Sequence, residues 1–265
     1  MLGAIIGDLA GSIYEFEQIK NCKPVKVDKI IEENSFFSDD TILTMAIADA
    51  ILNNVDYETK LKEYALTYAT QIPKVTPYFK TMFSPNFIKW AKSDYQGKSS
   101  GNGAMMRISP VGFLFNSEDE VRKNAHLATI PSHNNIEAIE SAKIISLIIF
   151  YSRQGLSKQE ITKKLNLKIK QPLVTEFNYT CTNTIDICLY SLFNSNSFEE
   201  SIRLAISFGG DTDTNACIVG SMAEAMYGIS KELKTKAMSK LPNEFKKIIK
   251  DFYNTINNQT MVQTN

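Results

Sequence analysis

Apolar residues recur at three- and four-residue spacing through most of this chain, and that period decides what it can fold into. It runs through Ile42 to Leu52, Tyr57 to Ala69, Ile136 to Tyr151, Thr184 to Phe193, Phe198 to Ile206 and Ala216 to Tyr227. Such spacing lines one face of a helix with apolar side chains, or several faces of a buried one. The alternating period of a half-buried strand is scarce. Pro24 to Ile30 alternates weakly, and Leu167 to Phe177 tolerates β structure but is broken by Pro172. The spacing therefore predicts an all-α fold with little or no sheet.

The helical segments are joined by short connections with turn chemistry, at Asn53-Asn54, Gly155 before Ser157, Asn194 to Ser197 and Gly228 before Ser230. No Pro/Ser-rich linker divides the chain, and no helical-solenoid repeat is found. One domain over 1–253 is expected, with the polar Asn/Gln/Thr-rich segment 254–265 as a frayed tail. With 43% hydrophobic residues, a chain of 265 residues can bury a sizeable core. Its 29 basic residues are balanced by 29 acidic ones. A global basic field is therefore missing, so nucleic acid is not an expected partner and a discrete small ligand fits better. Cys22, Cys181, Cys188 and Cys217 form no C-x-x-C pair and no zinc spacing, and read as reduced thiols. Met1 to Gly11 carries Asp8 and no basic flank, unlike a signal peptide, and the apolar run Ile144 to Tyr151 is too short to span a bilayer. A cytoplasmic protein without a membrane partner is expected.

Two segments concentrate carboxylates and hydroxyls. Ser38-Asp39-Asp40-Thr41 stands where a loop becomes a helix, and an N-cap with first-turn acids is one reading of it. In Gly209-Gly210-Asp211-Thr212-Asp213-Thr214-Asn215, two glycines allow a sharp bend before acids and hydroxyls alternate into a helix. A cap needs one such side chain, whereas a hard cation such as magnesium wants about six oxygen ligands. Converging from distant parts of the chain, the two segments would suit one or two ions. Their spacing is not that of a calcium-binding EF-hand.

Three further features are less specific. Ser99-Ser100-Gly101-Asn102-Gly103-Ala104-Met105-Met106-Arg107 is a small-residue loop entering a helix, open to reading as an ordinary turn or as a cradle for an anionic diphosphate. Gly3, Gly7 and Gly11 lie four apart, on one face of a closely packed helix. Just beyond it Glu15, between Tyr14 and Phe16, is placed to be partly desolvated and so poised as a general acid or base. Of the two histidines, His126 and His133, the second follows Pro131-Ser132 and reads equally as capping or ligand-binding. Trp90 reads as core.

Taken in order, G-x-x-x-G-x-x-x-G followed by Y-E-F, S-D-D-T, G-N-G-A-M-M-R-x-S-P, S-H and G-G-D-T-D-T-N resemble the ADP-ribosylglycohydrolase family. That group includes dinitrogenase reductase-activating glycohydrolases and eukaryotic ADP-ribosylhydrolases. The resemblance covers about Gly3 to Gly228. It implies a single-domain orthogonal helical bundle whose cleft holds two magnesium ions, manganese in some members. Carried over by position, Ser38, Asp39 and Asp40 would supply one ligand set and Asp211, Asp213 and Thr214 the other. Glu15 would match the glutamate beside the metals, joining Asp39 and Asp213 as catalytic residues. Gly101, Asn102, Gly103, Ala104, Met105, Ser132 and His133 would line the ADP-ribose pocket. Ser38 and Ser132 stand where many members have threonine, and the chain is short for the family, which touches substrate choice more than catalysis.

The implied partner is the ADP-ribose moiety of a modified protein or small molecule, acted on by a monomer. The implied reaction is hydrolysis at the anomeric carbon, with arginine the favoured linkage by analogy to bacterial relatives and Glu17, Tyr14 or Tyr179 as candidate rim groups. Two competing readings are a non-catalytic ADP-ribose-binding module and a dimetal phosphohydrolase acting on a nucleotide diphosphate. The first would not need two metals, and the second would release AMP.

Overall fold

A computed structural model describes residues 1–70 and 82–263. In chain order the helices are α1 (Leu2–Gly11), α2 (Glu15–Lys20), α3 (Asp39–Leu52), α4 (Tyr57–Tyr68) and α5 (Pro85–Ala91). They continue with α6 (Gly103–Met106), α7 (Ser109–Leu114), α8 (Glu118–His133), α9 (Ile136–Arg153) and α10 (Lys158–Lys164). The last are α11 (Cys181–Phe193), α12 (Phe198–Ser207), α13 (Thr212–Tyr227), α14 (Lys231–Ser239) and α15 (Asn243–Gln263). The fold is all-α, as the periodicity predicts. Among the described residues the only β pairing is two isolated bridges, Lys98 with His133 and Gly101 with Thr180.

The centre is built on α1 and α13, and every residue of α1 is buried. Gly3, Gly7 and Gly11 lie directly against the backbone of Gly220, Ala216 and Thr212, and a Cβ at any of them would overlap that backbone. The glycine face thus sets how closely α1 approaches α13. Thr212 Oγ1 donates to the Gly11 carbonyl at 2.9 Å, locking the α13 entrance to the end of α1. Around this pair α3 and α9 bury most of their length, and a helix so enclosed reads as apolar on several faces rather than one.

Helix starts follow local chemistry. Ser117 and Ser157 each form a capping box with a glutamate three residues on, and Asp56, Ser197 and Ser230 cap their helices with a side-chain oxygen. Pro24 to Ile30 and Leu167 to Phe177 hold no strand.

The polar C-terminal segment differs from expectation. Instead of fraying, Asn254 onward continues α15 as far as Gln263, and the last two residues lie outside the described ones. Phe245, Ile249, Phe252 and Ile256 form one apolar stripe against the core, which carries the helix past the point where composition turns polar.

Candidate active site

The two acid-hydroxyl segments meet. Ser38 caps α3 by accepting from Asp40 N at 3.2 Å, so the cap reading holds for Ser38. The Asp40 carboxylate does something else. Its Oδ2 accepts from Ser38 Oγ at 3.2 Å and from Thr214 Oγ1 at 3.3 Å, which joins the start of α3 to the start of α13. Asp211 occupies the N-cap position of α13 but makes no side-chain cap bond. Its Oδ2 instead accepts from Asn102 Nδ2 at 2.7 Å, tying in the small-residue loop.

The turn that delivers Asp211 depends on its glycines. Gly209 and Gly210 have φ of +76° and +72°, in the left-handed region. Gln18 of α2 braces this turn, its Oε1 accepting from Gly210 N at 3.3 Å and from Lys23 N at 2.9 Å. One buried side chain thereby fixes α2, which carries Glu15, against the loop that carries Asp211. Glu15, Asp211 and Asp213 each present a carboxylate oxygen, all within 4.8 Å of one another.

Asp8 was not singled out in the sequence beyond being an acid in an apolar helix. Fully buried, it accepts at Oδ2 from Ser38 N at 2.9 Å, Thr41 N at 3.1 Å and the Thr41 hydroxyl. It thus holds the first turn of α3 in place from below. The signal in the sequence was its solitude, since no other residue of Leu2–Gly11 is charged.

These acids repel one another. Burial first, then the charge of Asp213, raises Glu15, Asp39 and Asp40 well above the ordinary carboxylate range. Asp213 is raised well above it by burial and by Asp211. Burial and Asp213 push Asp8 up to about 7. Asp211 rises by burial, opposed by the hydrogen bond from Asn102. No lysine, arginine or histidine forms an ion pair with any of the six among the described residues. Buried Asp8 Oδ1 and Asp40 Oδ1 have no hydrogen-bond partner. Buried carboxylates normally find a cation or a donor. A donor set of carboxylates and hydroxyls with unspent lone pairs fits a hard divalent cation.

Glu15, Asp39, Asp40, Asp211 and Asp213, but not the deeper Asp8, line a cavity of about 830 Å³, a size typical of small-molecule sites. Of the residues singled out in the sequence, Glu15, Ser38, Asp39, Asp40, Gly101, Asn102, Gly103, Ser132, His133, Asp211, Asp213 and Thr214 all line it. Ala104 and Met105 do not. They are buried beneath the wall, because the single turn of α6 rotates Met106 to the cavity instead. Tyr179 reaches the rim, whereas Tyr14 and Glu17 are not among the lining residues, and Glu17 pairs with Lys23 at 3.5 Å. Trp90 is buried as expected, yet with Phe83 and Phe87 it also forms an aromatic wall. That wall was not legible because its members gain meaning only once the fold brings them to the same cavity as the acids.

Arg107, His133 and Ser132 form a chain at another wall. Arg107 Nη2 donates to Ser132 Oγ at 2.8 Å and to the Ala128 carbonyl at 3.2 Å, and Ser132 Oγ lies 2.7 Å from His133 Nδ1. Burial pushes the Arg107 guanidinium down to about 9, and burial with the Arg107 charge holds His133 well below its ordinary value.

A helical bundle with a deep cavity floored by buried acids and hydroxyls defines a class of enzyme suited to a polar substrate and hard cations. Residues 1–261 match the family model described as ADP-ribosylglycohydrolase. The chain belongs to that family, whose members are hydrolases acting on glycosidic bonds. It is 24% identical to ADP-ribosylhydrolase ARH3 of Danio rerio, across 86% of this chain and 82% of that protein. To ADP-ribosylarginine hydrolase Tri1 of Pseudomonas putida it is 22% identical, across 87% of this chain and 70% of the relative. The fold matches a solved ADP-ribosylglycohydrolase-related protein complex with a TM-score of 0.68 at 18% identity, covering 96% of this chain and 95% of the other. All four cysteines are free thiols, and among the described residues no helix is long and apolar enough to cross a membrane.

Proposed function

We propose that this protein is a magnesium-dependent ADP-ribosylhydrolase that removes ADP-ribose from a modified side chain, with arginine the preferred linkage. The observation that carries this reading is the hydrogen bond from Thr214 to Asp40, which unites two acid-hydroxyl segments beside Glu15 at the floor of one cavity. Ser38, Asp39 and Asp40 on one side and Asp211, Asp213 and Thr214 on the other are the residues to hold two magnesium ions. When bound, the ions would supply positive charge for oxygens on the ribose and the attacking water.

The chain's own residues do the rest. Asp8 holds the Ser38–Thr41 turn that carries Asp39 and Asp40, and Asn102 holds Asp211, so little reorganisation accompanies binding. The Gly101-Asn102-Gly103 and Ser132-His133 segments face the body of the ADP-ribose, and the aromatic wall keeps water from it. In the reaction, water adds to the anomeric carbon as the bond to the side-chain nitrogen or oxygen breaks. One proton leaves the water and one reaches the departing atom. Glu15 is the group placed to carry that proton, as base to the water or acid to the leaving group.

Two considerations favour arginine. A relative named for arginine hydrolysis aligns along most of this chain, and the exposed ring of Tyr179 at the rim offers a face to a guanidinium. With proteins modified separately on arginine and serine at equal concentration, faster release of ADP-ribose from arginine is expected. Faster release from serine would contradict the linkage. Release of AMP in place of ADP-ribose would contradict the reaction.

A further inference from the structure

Arg107 is fully buried, and no carboxylate is hydrogen-bonded to it among the described residues. A guanidinium has only donors. Its Nη2 bond therefore occupies a lone pair of Ser132 Oγ, which must accept there. The one hydroxyl proton of Ser132 then needs an acceptor. Among the described residues the only other polar atom bonded to Ser132 Oγ is His133 Nδ1, at 2.7 Å. That assigns an acceptor role to Nδ1 and leaves the ring proton on Nε2. A doubly protonated ring would place a second buried cation beside the guanidinium.

The far side of the ring is open to the cavity. Gly103 lies against it, and a Cβ at that position would stand 3.2 Å from His133 Nε2 and 3.3 Å from Cε1. The absent side chain therefore leaves room for a ligand atom to reach Nε2. His133 and Gly103 both line the cavity.

We propose that Arg107, acting through Ser132, fixes His133 in the tautomer protonated at Nε2, so that a neutral imidazole presents a hydrogen-bond donor to an oxygen of the bound ADP-ribose. Arg107 and Ser132 are positioning residues here, and only His133 meets the ligand. The acceptor's identity rests on the function proposed above, whereas the tautomer does not. Ser132 bonded in this way is one answer to why the small hydroxyl residue precedes the histidine. Threonine would serve equally, since the bond uses only the hydroxyl.

Nitrogen-15 long-range correlation spectra of the full-length, histidine-labelled protein at neutral pH read this directly, with His126→Gln used to remove the other histidine's signals. The ligand-free protein is expected to show a pyridine-type Nδ1 and a pyrrole-type Nε2 at His133. Ser132→Thr should keep that pattern, and Ser132→Ala should lose it while weakening ADP-ribose binding, measured by calorimetry, by roughly tenfold. A pyrrole-type Nδ1 or an imidazolium in the wild-type spectrum would overturn the relay, as would an unchanged spectrum in Ser132→Ala. If Ser132→Ala fails to fold, the wild-type and Ser132→Thr spectra decide. The expected tautomer in a wild-type protein that binds no ADP-ribose would support the relay but overturn the functional reading and the acceptor with it.

Discussion

Glu15 illustrates how far one residue could be read ahead of the structure. Its position after a packed helix foretold partial desolvation, and its carboxylate does lie beside Asp211 and Asp213. The brace that puts it there, Gln18 against Gly210, was not legible, because it joins residues 192 apart in the chain. The same holds for Asp8, whose three donors come from another helix start. A sequence displays what a side chain is, but long-range hydrogen bonds display what it is for. If Glu15 carries the proton, Glu15→Gln keeps its shape and removes that capacity. The turnover rate should then fall roughly 100-fold with ADP-ribose affinity little changed. Single-turnover kinetics beside calorimetric binding would separate the two, and an unaltered rate would return Glu15 to packing.

Among the elements, those with an uninterrupted 3.6-residue period were readable and those defined by an edge condition were not. The period located α3, α4, α9, α11, α12 and the body of α13 to within a few residues, because their apolar faces meet the core along their length. No period was read over α15, where polar residues outnumber apolar ones although an apolar stripe packs on the core as far as the partly buried Ile256. The glycine face of α1 was read correctly from spacing alone. Its consequence is testable, since Gly7→Ala should gain about 1 kcal/mol of helix propensity yet lose more by forcing a methyl onto the Ala216 backbone. A net loss of at least about 1 kcal/mol is expected in urea unfolding. A Gly7→Ala protein as stable as the parent would mean that α1 and α13 are not held at this distance.

The molecule as a whole carries a cost at its centre that a divalent cation would offset. Asp8 at about 7 and Glu15, Asp39, Asp40 and Asp213 well above the ordinary range keep protons in the folded chain that the unfolded chain has released. A folded pKa raised above the unfolded one gives stability that is full below the unfolded value and lost as pH climbs through the folded value. The metal-free protein should therefore lose stability from about pH 4 upward through about pH 7. Asp56, Glu118 and Glu160 are lowered instead, so their losses fall below that window. His133 and the N-terminus, both lowered by burial, gain stability with rising pH and offset part of the fall caused by the five raised acids. Magnesium, by binding the ionised acids, should raise the melting temperature most at the upper end, and melting curves with chelator and with magnesium across this range would check it. A metal-free midpoint that rises with pH there would contradict the linkage. The most direct test of the assigned chemistry is to incubate protein ADP-ribosylated on arginine with the enzyme and magnesium, and to identify the product, alongside Asp39→Asn and Asp211→Asn. Free ADP-ribose from the wild type, its loss with chelator, and folded but inactive variants that no longer bind two ions are expected. Wild-type rates from both variants, with two ions still bound, would contradict it.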